Sequence, residues 1–444
     1  MGFALFLVQS KLLWFSLFSL SISLLALQAS LSNQCTSNEP QPSDQSQLPL
    51  FSYPSTYGAH KYAIPTVRST CNSSLIFQDY GSVLKEIQDI VRNRRSCSSL
   101  RYVSGPGVSF AGNLSSAERN YYFDHNNDQV EVPCGFMKDF PIQNSDKLAM
   151  ENCKGVVIVS AIFGNHDKIR QPRGLKSETS EIACFFMFID DRTLKGLNSH
   201  NMFMNKTGEN KIGAWKMVLV SGELPYNNPA MNGVIPKHLT HRLFPNALYS
   251  IWVDAKLQLT VDPLLLLHSL VVRENRDMAI SMHPYNVHTM EEAVATARWK
   301  KWGDIGSLRE QMETYCDNGL RPWTTKKLPY TTDVPDSALI LRKHSVGSSL
   351  FSCLLFNELE AFNPRDQLGF AYVRDLMKPT IDINMFQNEI FEQVAMEYRH
   401  NIKKGSAQVL GGQKTKMADA WGGDMGRCQG YLLEMWGSIT NHWS

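Results

Sequence analysis

Three short apolar runs constrain the fold of this 444-residue chain more than any other feature. They are Val156–Phe163, Ile182–Ile189 and Tyr249–Val253, and nearly all of their residues are β-branched, aromatic or otherwise apolar. Continuous apolar runs of this length are typical of strands that are covered on both faces. Helical and loop patterns lie between the runs, so the sequence predicts an α/β domain with a mostly parallel sheet flanked by helices.

Charged side chains follow the ends of the predicted strands. The carboxyl ends of parallel strands meet at one edge of an open sheet, and ligands bind in the crevice there. We therefore expect one crevice lined by Asp167, Asp190, Asp191, Asp254 and His283. Asp254 is the first candidate for the site, because a carboxylate at the end of a buried strand needs a metal, a sugar hydroxyl or an opposite charge as its partner. A surface ion pair between Asp254 and Lys256 is the alternative.

The other predicted elements alternate between helix and strand. Apolar spacing of three and four residues indicates an amphipathic helix over 75–95, and Met290–Tyr315 reads as one long helix with acidic residues in its first turn. Further strands are predicted at Gln129–Val132, Trp215–Val220, Met278–Met282 and Ala338–Arg342. Residues 228–242 are predicted as loop and helix, and further helices are predicted at Leu264–Arg273, Ser348–Glu360 and Phe370–Met377.

The N-terminus predicts entry into the secretory pathway. Lys11 is the only charged residue among the first 30, and the run Leu12–Leu31 is long enough to cross a bilayer. A signal-anchor over 1–31 and a cleaved signal peptide both fit, and the length of the run favours the anchor. The sequence therefore predicts a protein of the secretory pathway whose body lies in the lumen. It is membrane-attached if the segment is an anchor, and resident in the endoplasmic reticulum or secreted if the segment is cleaved.

Acceptor sequons and cysteines agree with a lumenal location. Three Asn-x-Ser/Thr sequons begin at Asn72, Asn113 and Asn205. The chain has nine cysteines, so several can pair in an oxidising compartment while at least one stays free or pairs between chains. Cys184 lies inside an apolar run, and we expect it to be the free one.

The composition predicts three regions after the anchor segment at 1–31. Residues 32–100 read as a stem with one helix, 101–400 as the catalytic domain and 401–444 as a loose tail rich in Gly, Lys and Gln. The formal net charge of the chain is +2, from 44 basic and 42 acidic residues. This balance argues against a nucleic-acid partner, which would require a concentrated basic face.

The motifs favour a nucleotide-sugar transferase. The chain lacks GxGxxG, GxxxxGK[ST], GxSxG and HExxH motifs, which disfavours several common enzyme classes. Transfer from a nucleotide sugar requires positive charge on the diphosphate leaving group and a carboxylate for the sugar or the acceptor proton. Many such enzymes hold Mn²⁺ or Mg²⁺ with an Asp-x-Asp pair. Here Lys256 stands where the second carboxylate of the pair would be. The sequence therefore leaves open whether the site binds Mn²⁺ or Mg²⁺.

The predicted roles of the remaining candidates follow from that reaction. We expect Lys256, with Arg242 or Lys237, to neutralise the diphosphate, and Asp366 or Glu358 to act as the base, with an ordinary surface carboxylate as the alternative for each acid. The pair His238 and His241 has the spacing of two imidazoles on adjoining helical turns. Local hydrogen bonds or contact with an anion suit that pair better than metal ligation, because no third ligand is evident.

Seven collinear strings resemble one plant family whose members share a glycosyltransferase-like domain. They run from about 134 to 370 and include CGFMKDF at 134–140, CFFMFID at 184–190, PKHLTHRLFPNALYSIWVDAKLQLTVDP at 236–263, SMHP at 281–284 and FNELEAFNPRDQ at 356–367. The resemblance implies a glycosyltransferase A-like fold and transfer of a hexose to a glycan or lipid acceptor in the Golgi.

The same resemblance implies a second activity, because the family has two branches. One branch contains a mucilage-related hexosyltransferase, and the other contains an alkaline ceramidase connected with turgor regulation. The short N-terminal extension of this chain is more similar to the ceramidase branch. If the chain hydrolyses ceramide, the candidate groups are His238, His241, His283 and Asp254. A third reading is an inactive, membrane-tethered scaffold.

Overall fold

The computed structural model describes residues 75–93, 100–126, 130–202, 210–299, 301–398 and Cys428. The described helices are α1 Tyr80–Arg92, α2 Ser116–Tyr121, α3 Asn144–Glu151, α4 Thr179–Ile182, α5 Asp191–Ser199, α6 Pro229–His238, α7 Thr240–Leu243, α8 Pro263–Leu267, α9 Thr289–Arg298, α10 Ile305–Asp317, α11 Val346–Ala361, α12 Asp366–Leu376 and α13 Asn388–Val394, with a π-helix at His268–Val272 and a 3₁₀-helix at Thr325–Lys327. The described strands are β1 Val156–Ile162, β2 Ala183–Asp190, β3 Lys211–Ile212, β4 Trp215–Val220, β5 Tyr249–Val253, β6 Leu257–Leu259, β7 Met278–Met282, β8 Pro335–Lys343, β9 Ile383–Phe386 and β10 Ala395–Glu397.

Eight of these strands form one twisted sheet in the order β3-β4-β2-β1-β5-β8-β7-β9. Strands β4, β2, β1 and β5 pair in parallel, and so do β7 and β9. Strand β8 runs antiparallel between β5 and β7. The predicted mixed α/β fold with a mostly parallel sheet is therefore confirmed, and β8 brings its first residues to the edge where the parallel strands end.

Both faces of the sheet are buried, as the continuous apolar runs predict. In β1, Val157 and Val159 point into one core cluster while Val156 and Ile158 point into the other. The first cluster also holds side chains of α6, α11 and α12, and the second holds side chains of α1 and α8. Successive side chains of a strand alternate between its two faces, so an apolar run without interruption fits a strand with a core on each side.

Several predicted elements are confirmed. The strands predicted around residues 156, 182, 215, 249, 278 and 338 are β1, β2, β4, β5, β7 and β8, and the helices predicted near residues 348 and 370 are α11 and α12. The helix predicted within 75–95 is α1, which begins at Tyr80 and ends at Arg92. The helix predicted at Leu264–Arg273 is α8 followed by the π-helix, and the helix predicted at 228–242 is divided into α6 and α7.

Three sequence predictions are wrong. The single helix predicted at Met290–Tyr315 is two helices, because α9 ends at Arg298 and Asp304 caps a new helix by accepting a hydrogen bond from the Ser307 amide at 3.1 Å. Val132 forms an isolated bridge with Tyr102 and does not belong to a strand. Cys184 is not free, because it forms a disulfide with Cys153 at the end of α3.

Two further disulfides join distant parts of the chain. Cys134 pairs with Cys353, and Cys316 pairs with Cys428. Apart from Cys428, the predicted tail at 401–444 lies outside the described residues, as do the predicted anchor at 1–31 and the sequons at Asn72 and Asn205. Within the described ranges, no helix has the length and apolar character needed to cross a membrane.

Candidate active site

Polar side chains converge at the carboxyl edge of the sheet, as the strand pattern predicts. Asp254 directly follows β5, and its amide donates a hydrogen bond to the Ala338 carbonyl of β8 at 2.8 Å. Because β8 is antiparallel, its early residues Asp336 and Ser337 lie at this same edge. The crevice is therefore built from the ends of parallel strands and the beginning of one antiparallel strand.

Asp254 is a partly exposed carboxylate at this edge. Its side chain is 27% exposed, and its Oδ1 atom lies 3.7 Å from the Nζ atom of Lys237. The indole of Trp252 donates a hydrogen bond to the same oxygen at 2.6 Å. The Oδ1 atom of Asp254 is therefore held by contacts with Trp252 and Lys237, while part of the carboxylate is accessible to a ligand.

Lys237 lies in the last turn of α6 and joins two carboxylates. Its Nζ atom is 2.8 Å from Asp366 Oδ2 and 3.2 Å from Ser337 Oγ, in addition to its longer contact with Asp254. Burial alone would lower the pKa of this ammonium group, but Asp254 and Asp366 outweigh burial and raise the pKa above its usual value. Lys237 is therefore charged and held in one place.

Asp366 begins α12 and is buried among hydrogen-bond donors. Ser337 Oγ donates to Asp366 Oδ1 at 2.7 Å, and His238 Nε2 lies 3.3 Å from Asp366 Oδ2. Burial would raise the pKa of Asp366, but Lys237 and the His238 contact dominate and hold the pKa well below its usual range. Asp366 is consequently a weak proton acceptor, and its geometry suits positioning of Lys237.

Behind Asp366, His238 and Arg342 complete the buried network. Arg342 Nη2 lies 3.3 Å from His238 Nδ1, and Arg342 Nη1 donates to the Lys237 carbonyl at 2.9 Å. Burial, opposed by the hydrogen bond to Asp366, lowers the pKa of His238 to about 4. Burial also lowers the pKa of Arg342 to about 10. The imidazole is therefore neutral at physiological pH, and Arg342 retains its charge.

Lys256 points to a different partner from the one the sequence predicts. Its Nζ atom lies 2.8 Å from Glu397 Oε1, and Glu397 belongs to β10, which pairs with β6 just after Lys256. Burial would lower the pKa of Lys256, but Asp254 and Glu397 raise it above its usual value. The pKa of nearby Asp336 is raised, chiefly by burial and against the effect of Lys256. Lys256 is thus influenced by three carboxylates, Asp254, Asp336 and Glu397.

A second ionic cluster surrounds Glu292 next to this network. Glu292 is fully buried, and its Oε1 atom lies 2.6 Å from Arg365 Nη2 and 3.1 Å from Lys301 Nζ. Asn286 donates to its other oxygen at 2.6 Å. Burial would raise the pKa of Glu292, but Arg365 and Lys301 lower it below its usual value. Because Arg365 precedes Asp366, this cluster fixes the start of α12.

His283 follows β7 and faces the Glu292 cluster. Its Nδ1 atom accepts hydrogen bonds from the amides of Tyr285 and Asn286 at 3.2 and 2.9 Å. Its Nε2 atom therefore carries the proton in the neutral ring, and this atom lies 3.7 Å from Glu292 Oε2. Burial lowers the pKa of His283 below its usual value. His283 is thus a hydrogen-bond donor at this edge.

Three other predicted site residues have their contacts elsewhere. Arg242 donates to the carbonyls of Cys134 and Gly135 at 2.9 and 3.0 Å. Glu358 pairs with Arg119 at 2.8 Å in the interior, where burial raises the pKa of Glu358. His241 does not share a helix with His238 as its spacing predicts; it lies on α7.

The acids after β1 and β2 have local structural contacts. Asp190 accepts hydrogen bonds from the amides of Gly164 and Thr193, both at 2.8 Å, and so connects the turn after β1 with the start of α5. Asp191 is the first residue of α5, and Asp167 lies half-buried in the turn after β1. The parallel strands end at one edge of the sheet, and Asp190 holds two of those ends together.

The residues around Asp254 fit a divalent cation poorly. Metal cages for Mn²⁺ and Mg²⁺ are built from several oxygen ligands with a net negative charge. Here Asp254 Oδ1 accepts from Trp252 and lies next to Lys237, while Lys256 acts on the same carboxylate. The positive charge next to Asp254 is therefore supplied by Lys237, with an electrostatic contribution from Lys256.

Sequence reasoning did not identify four residues that complete the crevice. Ser337 and Arg342 of β8 contact the network directly, Asp336 lies beside Lys256, and Glu292 anchors the neighbouring cluster. Asp336 and Ser337 lie at the start of an apolar run, and this position would place them at the site only if the strand is antiparallel. The direction of β8 relative to its neighbours cannot be taken from a single sequence.

Comparisons with known proteins identify the family. A family model described as "TOD1/MUCI70, glycosyltransferase-like domain" matches residues 98–400. The chain belongs to this family. It is 55% identical to the "Alkaline ceramidase TOD1" of Arabidopsis thaliana over 97% of each chain. It is also 38% identical to the "Probable hexosyltransferase MUCI70" of Arabidopsis thaliana, over 63% of this chain and 49% of that protein. The chain therefore spans about half the length of the second relative.

Solved glycosyltransferase structures show only distant likeness to this member of the TOD1/MUCI70 family. Mouse xyloside xylosyltransferase 1 in its apo form has a TM-score of 0.29 and 7% identity, over 52% of this chain and 84% of that chain. The bifunctional glycosyltransferase WbbM in its apo form has a TM-score of 0.28 and 9% identity, over 52% of this chain and 39% of that chain.

Proposed function

We propose that this chain transfers a hexosyl group from a nucleotide sugar to a glycan or lipid acceptor. The observation that carries the proposal is the position of Lys237 between Asp254 and Asp366 at the carboxyl edge of the parallel strands. A charged amine beside an accessible carboxylate is what a sugar diphosphate requires: one group for the phosphates and one for the sugar hydroxyls. The glycosyltransferase-like description of the family supports the same reaction class.

In this proposal, two lysines neutralise the diphosphate as it leaves. Negative charge builds on the diphosphate while the glycosidic bond breaks, so fixed positive charge nearby lowers the barrier. Burial would lower the pKa of both lysines. Asp254 and Asp366 nevertheless raise the pKa of Lys237, and Asp254 and Glu397 raise that of Lys256. The carboxylate partners hold the two ammonium groups in place before substrate binds, which reduces the cost of ordering them.

The carboxylates take different roles in the proposed reaction. Asp254 is accessible and orients the donor sugar. Asp366 positions Lys237, because its lowered pKa makes it a weak base. Asp336 lies at the same edge, and burial raises its pKa toward the working range of a general base. We assign the uptake of the acceptor proton to Asp336, in place of the sequence-based candidates Asp366 and Glu358.

The proposed reaction proceeds without a resident divalent cation. Lys237 and Lys256 supply the positive charge, and the donor atoms around Asp254 fit a metal poorly. Transfer measured with the full-length chain is therefore expected to continue in the presence of a strong chelator. Loss of transfer in the chelator, with recovery on addition of Mn²⁺ or Mg²⁺, would refute this part of the proposal.

We further propose that the catalytic domain faces the Golgi lumen. Three disulfides among the described residues are consistent with folding in an oxidising compartment. The sequence-based anchor at 1–31 supplies the membrane attachment in this proposal. Protection of the full-length chain from protease in sealed Golgi vesicles, and its loss after detergent is added, is the expected result.

Ceramide hydrolysis is the second candidate function. It is favoured by the 55% identity with a protein named alkaline ceramidase over 97% of each chain. Cleavage of an amide requires an activated water molecule. Among the candidates for that chemistry, Asp254 and His283 have accessible surface, at 27% and 14% of their side chains, whereas His238 and His241 are buried.

Binding of nucleotides by the full-length chain tests the first proposal. Calorimetric titration with nucleoside diphosphates and nucleotide sugars is expected to give saturable binding, weakened at least tenfold by Lys237→Met and by Lys256→Met. Lys326→Met is the matched control, because Lys326 is an exposed lysine on the 3₁₀-helix. Absence of saturable binding to any nucleotide or nucleotide sugar would overturn the proposal.

A parallel assay with ceramide at alkaline pH separates the two candidate functions. Release of fatty acid by the wild-type chain, lost in Asp254→Asn, would favour the ceramidase function if nucleotide binding is absent. Inactivity in both assays, for a chain whose unfolding curve shows that it is folded, would favour the scaffold reading.

A further inference from the structure

Two buried cysteines and one histidine form a compact cluster that the proposed reaction does not use. Cys134 and Cys353 are joined in a disulfide across 219 residues of sequence. The Nε2 atom of His241 lies 3.6 Å from Cys134 Sγ and 3.4 Å from Cys353 Sγ. All three side chains are buried, and their two sulfur atoms and one nitrogen atom lie within 4.8 Å of one another.

The cluster joins three separate segments of the fold. Cys134 lies in the chain before β1, His241 lies on the short helix α7, and Cys353 lies in the middle of α11. Arg242, next to His241, donates to the Cys134 carbonyl at 2.9 Å. Lys237 and His238 of the candidate active site lie at the end of α6, which α7 directly follows. The cluster therefore joins α11 to the short helix next to the one that carries Lys237 and His238.

The distances match the spacing of ligands around zinc. In a tetrahedral site with Zn–S of about 2.3 Å and Zn–N of about 2.0–2.1 Å, a nitrogen and a sulfur ligand are about 3.5 Å apart. His241 Nε2 already lies at 3.4 and 3.6 Å from the two sulfur atoms. Only the two sulfur atoms would need to separate, to about 3.8 Å in the same geometry.

Two arginines lie beside the cluster. Arg242 donates to the Cys134 carbonyl at 2.9 Å, and Arg342 acts electrostatically on His241. Thiolates are stabilised by neighbouring cations, and a pair of thiolates is also the ligand set that zinc prefers.

We propose that Cys134, Cys353 and His241 form a redox-gated zinc site. In the oxidised state the two sulfur atoms are bonded to each other. A dithiol reductant gives two electrons and two protons to these sulfur atoms and itself becomes a disulfide. One Zn²⁺ ion then binds both thiolates and the neutral imidazole, the two thiol protons are released, and a water molecule takes the fourth ligand position. Zinc thus replaces the disulfide as the link between the same three segments.

Metal uptake by the full-length wild-type chain tests the site without any substitution. The chain is reduced with a phosphine and titrated anaerobically with Co²⁺, whose spectrum reports tetrahedral coordination and sulfur-to-metal charge transfer. We expect one thiolate-bound cobalt ion per reduced chain, its displacement by Zn²⁺, and a higher Tm of the reduced chain with Zn²⁺ than without it. The oxidised chain is expected to give no such spectrum.

Substitutions then locate the bound metal. His241→Phe is expected to weaken binding at least tenfold, and Cys134→Ser with Cys353→Ser to remove the charge-transfer band. Cys153→Ser with Cys184→Ser is the matched control, since it removes another disulfide and is expected to leave uptake unchanged. Each variant is checked by its Tm before reduction.

Two results would overturn the proposal. The first is failure of the wild-type chain to bind cobalt or zinc although alkylation and mass spectrometry show Cys134 and Cys353 to be reduced. The second is a charge-transfer band that persists in the Cys134→Ser, Cys353→Ser chain, because the metal would then lie elsewhere. Binding by folded His241→Phe with wild-type affinity would likewise remove His241 from the site.

Discussion

Asp254 and Asp366 share one ammonium group. Lys237 Nζ lies 3.7 Å from the first carboxylate and 2.8 Å from the second, although the two acids are more than a hundred residues apart in sequence. Asp254 reaches the crevice, and Asp366 is buried behind it. This relationship gives the two acids unequal tasks: one is available to a ligand, and the other holds the lysine.

Neutralising Asp366 is therefore expected to destabilise the fold. Asp366→Asn keeps the size of the side chain but leaves Lys237 and Arg342 as buried cations with less compensation. Removing one member of a buried ion pair costs about 3–5 kcal/mol, so we expect a loss of about 3 kcal/mol in the free energy of unfolding, measured with urea. Glu313→Gln, which breaks the partly exposed pair with Arg309, is the control and is expected to cost under about 1 kcal/mol. Equal losses of unfolding free energy in Asp366→Asn and Glu313→Gln would show that Asp366 does not stabilise buried cations.

The pKa of His238 predicts a loss of stability in mild acid. Burial lowers that pKa in the folded state to about 4 from its usual 6.5. Between these values the unfolded chain binds a proton that the folded chain does not, so stability falls as the pH falls from 6.5 to 4. The full contribution is about 3 kcal/mol. Urea unfolding of the wild-type and His238→Gln chains at several pH values measures this contribution. The free energy of unfolding is expected to depend more steeply on pH in the wild type between pH 4 and 6.5.

Other titrating side chains also affect how the stability of the fold depends on pH. The pKa of Asp366 is lowered mainly by Lys237 against burial, so its contribution is lost at lower pH, below its usual value of 3.8. His241 and His283 also have lowered pKa values through burial, but they are present in both chains and cancel in the comparison. Identical pH slopes in wild type and His238→Gln would show that His238 does not titrate in this way.

The sequence was sufficient to predict the main strands and the mostly parallel sheet. Apolar runs such as Val156–Phe163 are local signals, so β1 and its parallel neighbours, with the charges that follow them, could be predicted directly. The contacts of Lys256 could not, because its partner Glu397 is brought close by pairing of β6 with β10. Ion pairs between distant segments depend on tertiary packing, which residue spacing does not encode.

The cysteines show the same limit. Cys184 was expected to be free because it lies in an apolar run, and its hydrophobic neighbours were the only available signal. The structure places it at the start of β2, near the end of α3 where Cys153 lies. Pairing of cysteines is decided by which elements meet, and nine cysteines allow many combinations.

Asn113 is expected to carry an N-linked glycan. It is exposed, it begins the sequon Asn113-Leu-Ser115, and its φ angle of 54° is one that asparagine tolerates better than most residues. Asp shares that tolerance, so Asn113→Asp removes the acceptor with little strain. Expression in a plant secretory system, followed by glycosidase digestion and mass spectrometry, is expected to show one glycan fewer in the variant. An unchanged glycan count would contradict the prediction.

The Arg119–Glu358 pair is expected to be structural. Arg119 Nε lies 2.8 Å from Glu358 Oε1, both side chains are buried, and they join α2 to α11. Glu358→Gln and Arg119→Met are each expected to lower the free energy of unfolding by about 3 kcal/mol, because each leaves the other partner buried and unpaired. The double change Arg119→Met, Glu358→Gln removes both charges, so its cost is expected to fall below the sum of the two single changes by more than about 1 kcal/mol in a double-mutant cycle. If Glu358→Gln instead retains full stability and abolishes transfer, Glu358 is the catalytic base and the structural role is refuted.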